Sequence, residues 1–459
     1  MKTKLHYSIL LAIVIFMFGC QKDFLDKKPN KALLVPTTLS DFQSLLDNLS
    51  VMNTVPGIER IATDDLYTND DGWQYWSTAD QRNSYIWAKD IYEGAPSLDW
   101  NSPYQQVFYA NIVLDGLDKM NENQVPQNDY NRVKGSALFY RAVAYYHLAQ
   151  LFAKQYNSST AKQDLGIPIR LSSDVNLRPG RGTVQDVYDR ILNDFDASVQ
   201  LLPQVATLKS RPSKVAALAF LSRVYLTMGN YQKTYDLASQ ALALNNKLID
   251  YNTLDTTSAS PFPVDLPNSN DEVLFHSVSL AYDFAYSSET GVDTTVLRSY
   301  APNDLRKPLI FYWASAPFVS FNDSYSGPAG FFAGIANDEV YLNEAEALAR
   351  LNRIPEAMTA LNDLLVKRFI KGSYIAYSAS NTSDALKIIL SERRKELFTN
   401  QGMLRWVDLR RLNLDPQFAV TLKHIIGGKV YTLPPNDNRY VYPIPDNEIQ
   451  NDNIQQNPR

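Results

Sequence analysis

The residues of this chain with the most evident chemical capability are its few histidines and its paired carboxylates. His6, His147, His276 and His424 are the only histidines in 459 residues. None stands in the H-x-x-x-H or mixed spacing that presents two ligands to one metal ion. His147 follows Tyr146 on an apolar helical stretch and reads as a core residue. Asp64-Asp65 and Asp70-Asp71 contain enough acid for glycoside hydrolysis, but that reaction needs two carboxyls held apart across the bond, which adjacency does not provide. Asn69, Asp71 and Gly72 resemble part of a calcium loop, yet Tyr67 at its first position and Thr78 at its twelfth lack the required carboxylates. No nucleophile elbow, P-loop or dinucleotide fingerprint occurs. A single cysteine, Cys20, excludes an intrachain disulfide and a thiolate metal cluster. The expectation is a protein that is not an enzyme and carries no cofactor or metal. Net charge is −5, with both signs spread along the chain, so no basic face invites nucleic acid.

Binding is better motivated. Aromatic residues make up 12% of the chain, with 28 Tyr, 20 Phe and 6 Trp, and they gather in two stretches without helical period. Trp73, Tyr75 and Trp76 stand beside Asp64, Asp65 and Tyr67 in the first stretch. The second holds Tyr282, Tyr286, Trp313, Phe318 and Tyr325. An aromatic face stacks on the C–H face of a pyranose while nearby carboxylates and amides orient hydroxyls. Asp64, Asp65, Tyr67, Trp73, Tyr75, Trp76, Tyr282, Trp313 and Tyr325 are therefore the candidate ligand contacts, with Trp73, Trp76 and Trp313 expected to be exposed. The competing role for such rings is to anchor long loops to a scaffold.

The elements that must position these rings are mostly helical. Ser40 with Gln43 reads as the start of a first helix, and 51–101 as a long ordered loop. Helices follow over 103–120, 129–154 and 184–202, the last opened by Thr183 and Asp186 as a capping box. A hairpin of helices over 212–228 and 231–244 turns at Gly229-Asn230, and a second over 338–351 and 355–370 has Asn352 in the place of Gly229. Their small and large apolar residues fall at tetratricopeptide-like offsets. Residues 251–337 interrupt this scaffold, a helix spans 383–398, and Pro434, Pro435, Pro443 and Pro445 keep the C-terminal stretch extended. The fold class is mainly α, a helical repeat with long irregular insertions. The charge-dense run from Glu392 to Arg411 reads as ion pairs on helix surfaces and ends rather than as a catalytic constellation.

At the N-terminus Lys2 and Lys4 precede an apolar run from Ile9 to Phe18, too short to span a bilayer, which ends at Gly19-Cys20. Residues 1–19 read as a secretory signal and Cys20 as a lipidated first residue, followed by a polar tether to residue 36. Two acyl chains on Cys20 would make membrane attachment effectively permanent.

Several segments together resemble the SusD/RagB family of Bacteroidetes nutrient-binding lipoproteins. They are Cys20-Gln21-Lys22-Asp23-Phe24-Leu25-Asp26; Trp100 with Tyr104, Tyr109, Ala110 and Asn111; Arg141-Ala142 with Leu148; and Gly166-Ile167-Pro168-Ile169. Thr183-Val184 with Val187-Tyr188 and Ile191 is similar as well. The two most specific matches run from Glu392 through Leu397 to Arg405–Arg411, and from Tyr442-Pro443-Ile444-Pro445 to Gln456-Asn457-Pro458. The resemblance implies one SusD-like domain over 37–459, with insertions at 51–101 and 251–337 and a C-terminal portion from about residue 331. It implies an outer-membrane lipoprotein facing the cell exterior that binds a glycan or oligosaccharide and works with a SusC-like TonB-dependent transporter. The same architecture with peptide ligands, as in RagB-like members, and a helical-repeat scaffold without a nutrient ligand are the alternatives.

Overall fold

The scaffold helices are α1 (Leu98–Leu117), α2 (Gln127–Phe152), α3 (Val184–Leu201), α4 (Lys214–Thr227), α5 (Tyr231–Leu244), α6 (Asn337–Arg350), α7 (Ile354–Leu365), α8 (Thr382–Glu396) and α9 (Leu404–Leu412). They belong to a computed structural model that describes residues 36–263, 270–315, 317–321, 324–327, 330–400 and 402–459, with the backbone alone for 313–315. The signal, Cys20 and the tether lie outside the described residues, as does the side chain of Trp313.

From Tyr130 to Phe152 almost every residue of α2 is buried. A helix apolar all round must be central, and α2 packs between α1 and α3. Gly135 permits the closeness of α3, because a Cβ there would come 2.9 Å from Leu201 Cβ. The capping box at Thr183 forms in both directions: its hydroxyl accepts from the Asp186 N–H and the Asp186 carboxylate accepts from the Thr183 N–H. At the first helix the structure differs from expectation. Thr38, not Ser40, is the cap, because the reciprocal partner is Asp41 and the helix begins at Leu39.

The two hairpins turn alike. Gly229 (φ +74°) and Asn352 (φ +61°) both take the left-handed conformation that ends a helix, which these two residue types adopt most readily. Although residues 245–336 separate them in sequence, α5 packs directly on α6. The join is pinned by the Asn337 amide, which donates to the Asn245 side chain at 3.1 Å and to the Lys247 carbonyl at 2.9 Å. A second apolar cluster fills the space among α6, α7 and α8.

The run from Glu392 to Arg411 does not lie on helix surfaces as expected. Glu392, Arg393, Lys395, Glu396, Asp408, Arg410 and Arg411 are all buried. Arg306 binds Asp304, Glu392 and Glu396, while Arg368 binds Glu396 and Glu272. Arg411 forks onto Glu346 at 2.6 and 2.8 Å. Charges so placed hold together α6, α8, α9 and the insertion from the inside.

Candidate functional site

The two aromatic stretches meet. Strand β1 (Leu66–Thr68) pairs antiparallel with β2 (Thr290–Val292), setting Tyr67 opposite Gly291. A Cβ on Gly291 would stand 3.1 Å from the Tyr67 ring and 3.0 Å from Phe318, so glycine lets the Tyr67 ring lie over the strand. That ring stacks on Phe318 with centroids 5.3 Å apart. Phe318 belongs to a hairpin of β3 (Phe311–Ser315) and β4 (Phe318–Phe321). A second staple comes from the Asp283 carboxylate, which accepts from the Ser77 N–H at 2.7 Å and from the Gln81 amide at 3.2 Å.

Residues 70–75 are not the irregular loop expected from their lack of period. They form a short helix capped by Asn69, whose side chain accepts from the Gly72 N–H at 2.7 Å. Six residues are too few to display a period, and tertiary contacts rather than propensity hold such a helix.

This local geometry sorts the candidate rings. Tyr75 is 72% exposed. Trp73 is half-buried, its indole N–H donating to the Arg82 carbonyl at 3.0 Å. Trp76, expected to be exposed, is 0% exposed and packs edge-on against Tyr85 and Phe284. It turns inward as the residue that ends the helix and anchors one loop to the other.

Tyr282 and Tyr325 are also buried, contrary to a role as contact rings. The Tyr282 hydroxyl donates to Asp99, and the Tyr325 hydroxyl is held among Tyr251, Glu272 and Asp338. Tyr67 keeps one edge open, its hydroxyl donating to the Pro317 carbonyl at 3.4 Å.

Asp64 and Asp65 serve as braces. Arg405 forks onto Asp64 at 2.8 Å through both Nε and Nη2, and Arg394 reaches Asp65 at 2.8 Å and the Asp64 carbonyl at 2.7 Å. Burial pushes the Asp64 carboxyl up, but the two guanidiniums outweigh it and hold the group below the usual range. For Asp65 burial wins and the group is raised. The space that Asp65, Arg394 and Arg405 enclose with Glu59 and Trp406 is about 30 Å³, room for roughly one water rather than a sugar.

Two exposed rings outside the nine candidates stand on the second aromatic stretch. Tyr286, 64% exposed, follows the turn at Asp283 and leans on Phe331 at 5.5 Å, and Phe331 in turn lies under the Arg60 guanidinium at 5.1 Å. Tyr312, 48% exposed, stands on β3 next to buried Phe311. The strand period of two carried the signal for Tyr312, since it places neighbours on opposite faces.

One group could hold a cation by geometry. Glu272, Asp338 and Glu396 bring carboxylate oxygens within 4.8 Å of one another. Arg368 already lies among them, with its Nε 2.6 Å from Glu396 and its Nη2 on Glu272. Burial, with Glu272 and Glu396 alongside, pushes the Asp338 carboxyl well above the usual carboxylate range.

Comparison with known proteins agrees with this architecture. A SusD-like family model described as starch-binding and associating with the outer membrane matches residues 23–226, and the SusD family model matches 338–459. SusD-like protein P2 of Formosa agariphila is 24% identical over 426 residues, spanning 79% of this chain and 80% of that protein. A SusD superfamily protein from Bacteroides thetaiotaomicron superposes with a TM-score of 0.74 at 24% identity, covering 92% of this chain and 100% of the other. A SusD-like carbohydrate binding protein from Bacteroides vulgatus gives a TM-score of 0.71 at 21% identity, over 91% and 97% of the two chains. With both family models placed in order along a helical-repeat scaffold of that shape, the chain belongs to the SusD family.

Proposed function

We propose that this protein is a glycan-binding lipoprotein of the outer-membrane surface, working beside a SusC-like TonB-dependent transporter and delivering oligosaccharide to it. SusD family proteins are non-catalytic carbohydrate-binding proteins, so the chain binds its ligand without cutting it. The observation that carries the reading is the exposure of Tyr75, Tyr286 and Tyr312 on loops stapled to one another by Asp283 and by the Tyr67–Phe318 stack. Exposed aromatic faces on a rigid base suit stacking against the C–H faces of a pyranose chain. Half-buried Tyr67 and Trp73 border this face, and Trp313 stands on the same hairpin as Tyr312. No helix among the described residues is long and apolar enough to cross a membrane. Attachment is assigned to Cys20.

Glycan and peptide arrays probed with the purified protein identify the ligand class, and calorimetry then measures the best hit. Tyr75→Ala and Tyr286→Ala are each expected to weaken glycan binding by about 1–3 kcal/mol while leaving the melting temperature unchanged. Unaltered affinity in both variants would remove the ligand from this face, and a hit confined to peptides would replace the substrate class.

The anchor is tested separately. Cys20→Ala should abolish metabolic labelling with fatty acid and release the protein from the membrane fraction. Retention of both label and fractionation would refute the assignment.

A further inference from the structure

A second polar pocket, built from none of the elements of the aromatic face, lies where the loop after α2 meets α9 and residues 436–441. Its volume is about 300 Å³, the size at which small-molecule sites begin. Its wall is unusual in its unmet hydrogen bonds. Among the residues lining it, Arg410 Nε and Gln155 Oε1 have no partner, and the Asn413 side chain and the Tyr440 hydroxyl have none beyond each other, although each is closed off from bulk water. Buried polar groups are normally satisfied. Side chains so incompletely satisfied around one pocket mark a place suited to a polar guest.

The character of the wall narrows that guest. Gln155, Asn157, Asn413, Asn436 and Asn438 line the pocket with amides, which both donate to and accept from hydroxyl groups. Arg410 is 3% exposed and its two terminal nitrogens donate to the carbonyls of Gln150 and Ala153. No carboxylate pairs with it among the described residues, whereas the neighbouring Arg411 is held by Glu346 and Asp408. The charged side chains at the rim are paired with each other: Lys154 with Asp164 at 2.8 Å, and Asp437 with Arg439 at 2.8 Å. The pocket thus combines hydroxyl-binding amides with one buried cation that lacks a counter-charge.

We propose that this pocket takes a single pyranose unit, and that its preferred guest is a hexuronate whose carboxylate pairs with Arg410. The choice of a sugar rests on the glycan-binding reading above. The residues are different, so the two sites can fail independently. Engagement requires small side-chain rotations at Asn413 and Tyr440, which exchange their mutual hydrogen bond for bonds to the guest.

Sodium glucuronate and glucose are the probes, titrated calorimetrically into the full-length mature protein in detergent. Glucuronate is expected to bind with a millimolar dissociation constant and glucose about tenfold more weakly, since a charge-assisted hydrogen bond is the stronger kind. Asn413→Asp places a carboxylate three residues from Arg410 on the same helix, within side-chain reach. It should lower glucuronate affinity about tenfold or more, because the guanidinium then has an internal partner. Asn438→Trp, at an exposed rim position, should block glucuronate with an unchanged melting temperature. Tyr75→Ala should leave glucuronate binding untouched. Absence of heat, equal affinity for glucose, full binding by Asn438→Trp, or loss of binding in Tyr75→Ala would each overturn the proposal.

Discussion

Arg368→Leu is expected to destabilise the fold by about 3–5 kcal/mol, the usual cost of removing one partner from a buried ion network. Arg368 is fully buried, binds Glu396 and Glu272, donates from Nη1 to the Ile249 carbonyl at 2.7 Å and lies over the Tyr251 ring at 4.2 Å. Without it, three carboxyl groups within 4.8 Å of one another lose the cation among them. Arg368→Lys should recover only part of the loss, because an ammonium cannot fork onto two acids as a planar guanidinium does. Adding Glu272→Gln to Arg368→Leu should restore some stability by removing an uncompensated charge. Urea unfolding measures all three variants. A change below about 1 kcal/mol for Arg368→Leu would mean that the acids take up protons at little cost and that the network is not a cohesive element.

The stability of the wild-type protein is expected to fall as pH rises from about 6.5, above which its buried histidines are neutral in both states, to about 8, and Glu59→Gln is expected to remove part of that fall. Burial raises the Glu59 carboxyl to about 8, with Asp99 beside it adding to the rise. Neither carboxyl oxygen has a partner. The folded protein therefore holds a proton on Glu59 that the unfolded chain has released, throughout the interval between the ordinary value and about 8. Wherever the folded state binds more protons, raising the pH favours unfolding, here by up to about 1.4 kcal/mol per unit. Asp99, raised by burial to about 6, acts in the same direction over the lower part of the interval. Its Oδ1 accepts from the Gly57 N–H at 2.8 Å and the Ile58 N–H at 3.2 Å, and the Tyr282 hydroxyl binds its other oxygen. Glu59→Gln keeps the shape and cannot ionise, so the drop in melting temperature between about pH 6.5 and pH 8 should be smaller in this variant than in the wild type. Parallel pH dependence in the two proteins would place the proton elsewhere.

What could be read from the sequence was whatever depends on near neighbours. Thr183 and Asp186 are three residues apart and form their box unaided, and Gly229 and Asn352 announce left-handed helix ends by residue type. Adjacent Tyr75 and Trp76 show the limit. One is open and the other closed because Trp76 meets Phe284, more than two hundred positions away, and no local pattern encodes that meeting. The same holds for Asp64 and Asp65, whose partners Arg394 and Arg405 lie over three hundred residues downstream. Tyr282 and Tyr325 look like contact residues in sequence, and lie buried with their hydroxyls met by acids of other elements, Asp99 for the first and Glu272 with Asp338 for the second. The run from Glu392 to Arg411 has the composition of a solvated surface, and the partners that make it internal, Arg306, Arg368 and Glu346, stand outside it.

The direct packing of α5 on α6, with Asn337 clasping Asn245 and Lys247, means that the excursion over residues 245–336 leaves and re-enters the repeat through a single narrow doorway. Closing a loop whose ends are already fixed side by side costs little extra for added length, about 0.6 kcal/mol per doubling. Behind that doorway the exposed turns that carry Tyr286 and Tyr312 can change without shifting the register of the stack, while Phe275 among Phe139, Tyr140 and Phe220 and the clamps at Glu272 and Arg306 tie the rest of the excursion to the scaffold. Exposed turns and buried frame are thereby free to diverge at different speeds, so the outer face can vary while the same chassis stands beneath it.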